Sequence, residues 1–187
     1  MRNIAIVFKM NLHIATMLVG AIYFLLGIGF FFKGFQPHAM NFLRSQKAAY
    51  VLGGIAIAWF TWILYNLGEA DFGQYKHLLM LLFGGAGLLA FKYLPDFLSV
   101  RALCVIIILT MRECVDAAFM QEYASRVVMV GLAYTLVVAC IYFGCMPYKL
   151  RDLFNWLFEK PMRARGFAIA MCLLALATDV ALLFYLI

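Results

Sequence analysis

The sequence predicts an all-α, polytopic integral membrane protein, with six transmembrane helices plus one interfacial amphipathic helix. Three observations predict it. First, 67% of the 187 residues are apolar and only 13% are charged, against roughly half and a quarter in soluble domains. No soluble core hides that much apolar surface, and exposed patches of that size aggregate. Second, the apolar residues fall into runs near the roughly 20 residues that a spanning helix needs. Third, the connections between runs are short and hold most of the Lys and Arg. No linker, low-complexity tract or composition shift marks a boundary, so residues 1–187 read as a single membrane domain.

The first span, about 12–32, follows Arg2 and Lys9. It is too long for the apolar region of a cleavable signal and lacks a small-residue cleavage site, so it reads as a membrane helix. The second span, about 48–67, carries Gly53 and Gly54, with Trp59, Trp62 and Tyr65 towards its end. The third, about 77–94, contains FGGAG (Gly84, Gly85, Gly87). That motif follows no strand and lacks the Lys-Ser/Thr ending of a phosphate loop. The glycines, with Gly27 and Gly29 of the first span, are read as sites of close helix approach, as are the small-xxx-small pairs Gly54/Ala58 and Ala86/Ala90.

The corner Leu94-Pro95-Asp96 ends the third span and starts the fourth, about 97–119, since proline disfavours helix before itself and begins one well. The fifth span covers about 126–146 and the sixth about 166–187. Between these two, about 148–160 predicts a helix lying in the membrane interface. Leu150, Leu153, Phe154 and Leu157 share one face, and Arg151, Asp152, Asn155 and Glu159 the other. Pro147 precedes this helix and Pro161 ends it, with Tyr148 and Trp156 at headgroup level. Lys149, Arg151, Trp156, Lys160, Arg163 and Arg165 are the expected contacts to lipid, the basic ones to anionic headgroups on the cytoplasmic face. The two halves show no internal match of the kind an inverted-repeat transporter carries.

Orientation follows from the cations. With six spans, the first, third and fifth connections share a side and hold Lys33, Arg44, Lys47, Lys92, Arg101, Lys149, Arg151, Lys160, Arg163 and Arg165. The other side holds Arg2, Lys9, Lys76, Arg112 and Arg126. Ten against five predicts both termini on the non-cytoplasmic side of a bacterial inner membrane.

The fourth span, FLSVRALCVIIILTMRECVDAAF, carries the main chemical question. Arg101 is one turn in and can snorkel to the headgroups. Arg112 is about 22 Å in, at 1.5 Å per residue. A central charge costs about 2.5–3.5 kcal/mol, whereas each large aliphatic returns only about 0.3–0.6 kcal/mol. An ionisable group there is expected to face a partner or cavity. The sequence offers Asp116 one turn on, and Asp179 at about 20 Å depth on the sixth span. An Arg112–Asp179 pair across two helices is therefore expected, with Glu113 and His13 joining an intramembrane charge cluster.

Chemical motifs are otherwise sparse. Cys104, Cys114, Cys140, Cys145 and Cys172 form no C-x-x-C pair, and they read as small packing residues. His13, His38 and His77 are far apart in the sequence, and no metal or cofactor is predicted. No basic stripe with interleaved aromatics points to nucleic acid. The leading expectation is a non-enzymatic scaffold or accessory subunit packed on other membrane proteins. The alternative is a transporter or channel component using Arg112, Glu113, Asp116 and Asp179. A membrane-embedded enzyme comes third.

Overall fold

A computed structural model of the chain describes residues 10–32, 34–68, 72–94 and 96–184. The described residues form helices and turns, with no strand. The helices are α1 (Leu12–Phe31), α2 (Phe35–Leu43), α3 (Gln46–Tyr65), α4 (Lys76–Tyr93), α5 (Leu98–Ala118), α6 (Arg126–Cys145), α7 (Pro147–Glu159) and α8 (Pro161–Leu183). Arg2, Lys9, Lys33, Pro95 and positions 185–187 lie outside the described residues.

All six predicted apolar runs are helices, but their membrane signal is unequal. α1, α3, α6 and α8 are long and apolar enough to cross a membrane by length and composition. These four are fewer than the six expected. α5 falls short because Arg101, Arg112, Glu113 and Asp116 interrupt it, and α4 is the shortest of the six and opens on Lys76.

Two boundaries move. Pro161 does not end the amphipathic helix; it stands in the first turn of α8, where its missing N–H costs no helical bond. α8 therefore starts before the expected 166. The connection after α1 also contains an unpredicted short helix, α2. Ala39 and Leu43, four apart, bury against the bundle, and Pro37 sits in the first turn.

The core is built on small residues. α1 and α8 run antiparallel in the closest pairing of the fold. A Cβ on Gly27 would stand 2.6 Å from Cys172 Sγ and 3.1 Å from the Ala168 carbonyl oxygen, and one on Gly20 would collide with Thr178 Oγ1. Ala15, Val19 and Tyr23 bury on the same face of α1, joined by Met111 and Cys114 of α5, Met129 and Ala133 of α6, and Ala175 of α8. The buried Tyr23 hydroxyl donates to the Leu132 carbonyl at 3.0 Å, tying α1 to α6. In a bilayer, such tight contacts and polar links hold helices together, because lipid is as apolar as the helices themselves.

One end of the bundle gathers the connections α1–α3, α4–α5 and α6–α8. Ser99, at the start of α5, donates to the Phe42 and Leu43 carbonyls (2.8 and 3.1 Å), so the end of α2 is hydrogen-bonded to α5. Leu43, Val100 and Cys140 pack with Leu150 and Phe154. Phe30 is ringed by Phe35, Phe154, Phe158 and Phe167 at 5.0–5.6 Å between centroids. The expected interfacial helix thus turns its apolar face to the bundle rather than to lipid: Leu157 is fully buried beside Phe30 and Ala168. What α7 leaves outside is Tyr148, Trp156, stacked on the Arg163 guanidinium at 4.7 Å, and its charges. At the opposite end, Arg126 Nη1 donates to the Ala118 carbonyl at 3.1 Å and closes the α5–α6 corner as a C-terminal cap.

Candidate functional site

α4 packs on α3 and leaves no residue buried. Glycines bring it close: Gly87 faces Ile57, and Gly53 faces the Phe91 ring, which stacks on Tyr50 at 5.3 Å. The expected small pair Gly54/Ala58 is one position off; nothing lies near a Cβ built on Gly54, and Ala58 is exposed. Because α4 leans on α3 while α3 also packs on α5, a cleft opens between α4 and α5 with α3 as its floor.

Each wall of the cleft is one helical stripe. Gly53, Ala56, Ile57 and Phe60 form the floor, Phe83, Gly87 and Phe91 one wall, and Leu98, Arg101, Ala102 and Val105 the other. The spacings of three, four and seven residues place each set on one face. The cleft holds about 270 Å³ and is apolar along its length, with Arg101 its single charged lining residue. Arg101 is half-buried and makes no ion pair or hydrogen bond with another described side chain. The sequence had placed Arg101 at headgroup depth but gave it no surface to serve; the stripe Leu98/Arg101/Ala102/Val105 was the readable signal. A second, more open groove between α6 and α8, lined by Val128, Leu173, Leu176 and Val180, is likewise apolar.

The expected charge cluster is divided. Arg112 pairs with its neighbour Glu113 (Nη1 to Oε1 3.2 Å), the Arg side chain half exposed and the Glu side chain largely covered. Asp116 is exposed on the last turn of α5. Asp179 lies across the bundle beside Gly20 of α1, its Oδ1 3.7 Å from a Cβ built there, and is exposed. His13 is half-buried in the first turn of α1. The Arg112–Asp179 pair does not form: α1 packs on both α5 and α8 and separates them, and Arg112 is taken by Glu113. Matching depth did not mean adjacency. The double variant Arg112→Gln/Asp179→Asn should lose detergent stability by the sum of the single losses, within about 0.3–0.5 kcal/mol, as for sites without shared partners. Thermal unfolding of the four proteins checks it.

The lipid-facing set predicted on α7 and α8 is exposed or half-exposed at the basic end. Arg151 pairs with Asp152 at 2.9 Å and Arg163 with Glu159 at 2.7 Å, while Lys149 lies over the Tyr148 ring. Lys160 and Arg165 make no ion pair with a described residue. No known protein family, curated protein or solved structure matches the chain.

Proposed function

We propose that the chain is a non-enzymatic scaffold or accessory subunit of a bacterial inner-membrane complex. It crosses the bilayer six times, through α1, α3, α4, α5, α6 and α8, with the basic end in the cytoplasm and both termini outside. The observation that carries this reading is the character of the two grooves described above: both are apolar and lie between helices, where lipid or another protein would cover them. A conducting path needs polar groups converging from several helices, and the charged residues are instead divided between separate faces.

The lengths of α4 and α5 support two further crossings. Their 18 and 21 residues span about 27 and 32 Å at 1.5 Å each, against about 30 Å of hydrocarbon. In α5 the stretch Ala102–Met111 carries no charge. Arg112 is about 9 Å from the end of α5, close enough to reach the headgroups. Lys76 and Lys92 stand in the first and last turns of α4, where a long side chain snorkels readily. The cytoplasmic side would gather Arg44, Lys47, Lys92, Arg101 and the cations of α7 and α8 against anionic lipid, at about 1 kcal/mol per cation near the surface.

Flux separates this reading from transport. Vesicles loaded with a pH- or cation-sensitive dye should leak no faster with the purified protein than without it. A proton or cation flux that Asp116→Asn or Asp179→Asn abolishes would replace the scaffold reading with a transporter.

A further inference from the structure

We infer that the α3–α4–α5 cleft is a binding site for one acyl chain of an anionic phospholipid, whose phosphate is held by Arg101. The inference deepens the membrane reading above and rests on it, because Arg101 must stand at headgroup level. It is distinct from the headgroup contacts proposed for α7 and α8, whose cations line neither groove.

The occupant follows from what the cleft excludes. Its space is about 270 Å³, under the roughly 300–1,000 Å³ of most small-molecule pockets. Water is a poor filling, since a trapped water needs 2–4 polar partners. Beyond Arg101 the walls offer little besides the Thr61 hydroxyl, at the far end. An empty cleft would forfeit dispersion contacts on every wall. The neighbouring molecule of the right shape and polarity is a lipid chain. The floor from Gly53 to Thr61 runs about 12 Å at 1.5 Å per residue, the scale of a chain segment rather than a compact ligand. Gly53 and Gly87 seat the α4 wall on the α3 floor, because each lets a large side chain of the facing helix come to backbone distance.

Charge decides which lipid. An apolar groove in a bilayer does not discriminate among chains, since lipid tails are as apolar as its walls. Discrimination comes from the mouth, where the Arg101 guanidinium makes no ion pair or hydrogen bond with a described residue. That group matches a phosphate with two parallel N–H donors. Arg44, Lys47 and Lys92 stand on the connections and helix ends at the same end of the bundle, with Asp96 the carboxylate among them. The excess of cations favours a headgroup with net negative charge over a zwitterionic one, whose own ammonium would meet like charge.

Native mass spectrometry in a mild non-ionic detergent tests it, with phosphatidylglycerol and phosphatidylcholine of identical chains as probes. Wild type should retain one phosphatidylglycerol at least tenfold better than phosphatidylcholine. Arg101→Gln should reduce that retention at least tenfold, to the phosphatidylcholine level, with Arg101→Lys in between. Val105→Trp fills the cleft from a partly exposed position and should lose the lipid while keeping the melting temperature. Equal retention of the two lipids, or undiminished retention by Arg101→Gln or by Val105→Trp, would overturn the site. So would loss on Arg44→Gln or Lys92→Gln equal to that on Arg101→Gln, which would make the mouth a diffuse basic surface. Displacement by millimolar glycerol 3-phosphate would make it a free-anion site instead. These readings are made in detergent, so they stand or fall apart from the number of crossings, which thiol labelling of positions 76 and 92 reports.

Discussion

Gly27→Val should unfold the bundle or leave it a minor species in detergent, while Gly54→Val should melt close to wild type. The two substitutions add the same atoms at glycines in apolar helices, and no property of the residues themselves separates them. At Gly27 the new Cβ would meet Cys172 Sγ at 2.6 Å, the Ala168 carbonyl oxygen at 3.1 Å and the Cys172 backbone nitrogen at 3.2 Å. Two of those three atoms are backbone and cannot rotate away, so α8 must move off α1. Overpacking a core costs about 1–3 kcal/mol, and more when the backbone itself is displaced. Gly54 has nothing within 4 Å of its built Cβ. Gly20→Ala should fall between them, because its obstacle is the Thr178 hydroxyl, a side-chain atom. That hydroxyl is buried and donates to the Ala175 carbonyl at 2.6 Å, so displacing it also breaks a hydrogen bond. Thermal melts by size-exclusion or circular dichroism would rank the three; a Gly27→Val protein as stable as wild type would mean that α1 and α8 do not meet in this register.

Single cysteines at positions 76 and 92, on a background with the native cysteines replaced, should label from opposite faces of the membrane with an impermeant thiol reagent. Position 92 should react only from the cytoplasm and position 76 only from outside, an all-or-none difference in whole cells. The expectation comes from the antiparallel packing of α4 on α3, the roughly 27 Å length of α4, and the gathering of the α1–α3, α4–α5 and α6–α8 connections at one end. If both positions label from one side, α4 does not cross, and it lies against α3 from the surface or within a cleft.

Much of the fold could be read from the sequence because the bilayer makes two demands of it: runs of a fixed length, and few charges within them. Those demands locate helices to within a few residues, as at α1, α3 and α6. They say little about which helix touches which. The Arg112–Asp179 expectation used depth alone, and depth is a coordinate along one axis; the lateral position of α1, set by Gly20, Gly27 and Tyr23, decided the matter. The glycines of the second span were both expected at close approaches; Gly53 makes one and the Gly54/Ala58 pair does not, since both fit a small-residue spacing and only the facing Phe91 ring selects between them. α7 was legible as an amphipathic helix, but what covers its apolar face was not. Lipid and a cluster of phenylalanines satisfy the same pattern, and Phe30, at the end of another helix, supplied the cover. The cleft was hidden because no single stretch of chain contains it. Three stripes on three helices each look like ordinary packing faces, and only their failure to close leaves room.

The pairing of α1 with α8 also constrains how the chain is made. About 130 residues separate Phe31 from Pro161, and at the roughly 5–20 residues per second of synthesis the wait is on the order of ten seconds. During that interval the glycine face of the earliest described helix touches lipid or a passing neighbour. A ribosome that stops within α7 would therefore release a membrane-inserted fragment bearing an unsatisfied adhesive surface, the kind of product that membrane proteases and insertion chaperones are placed to find.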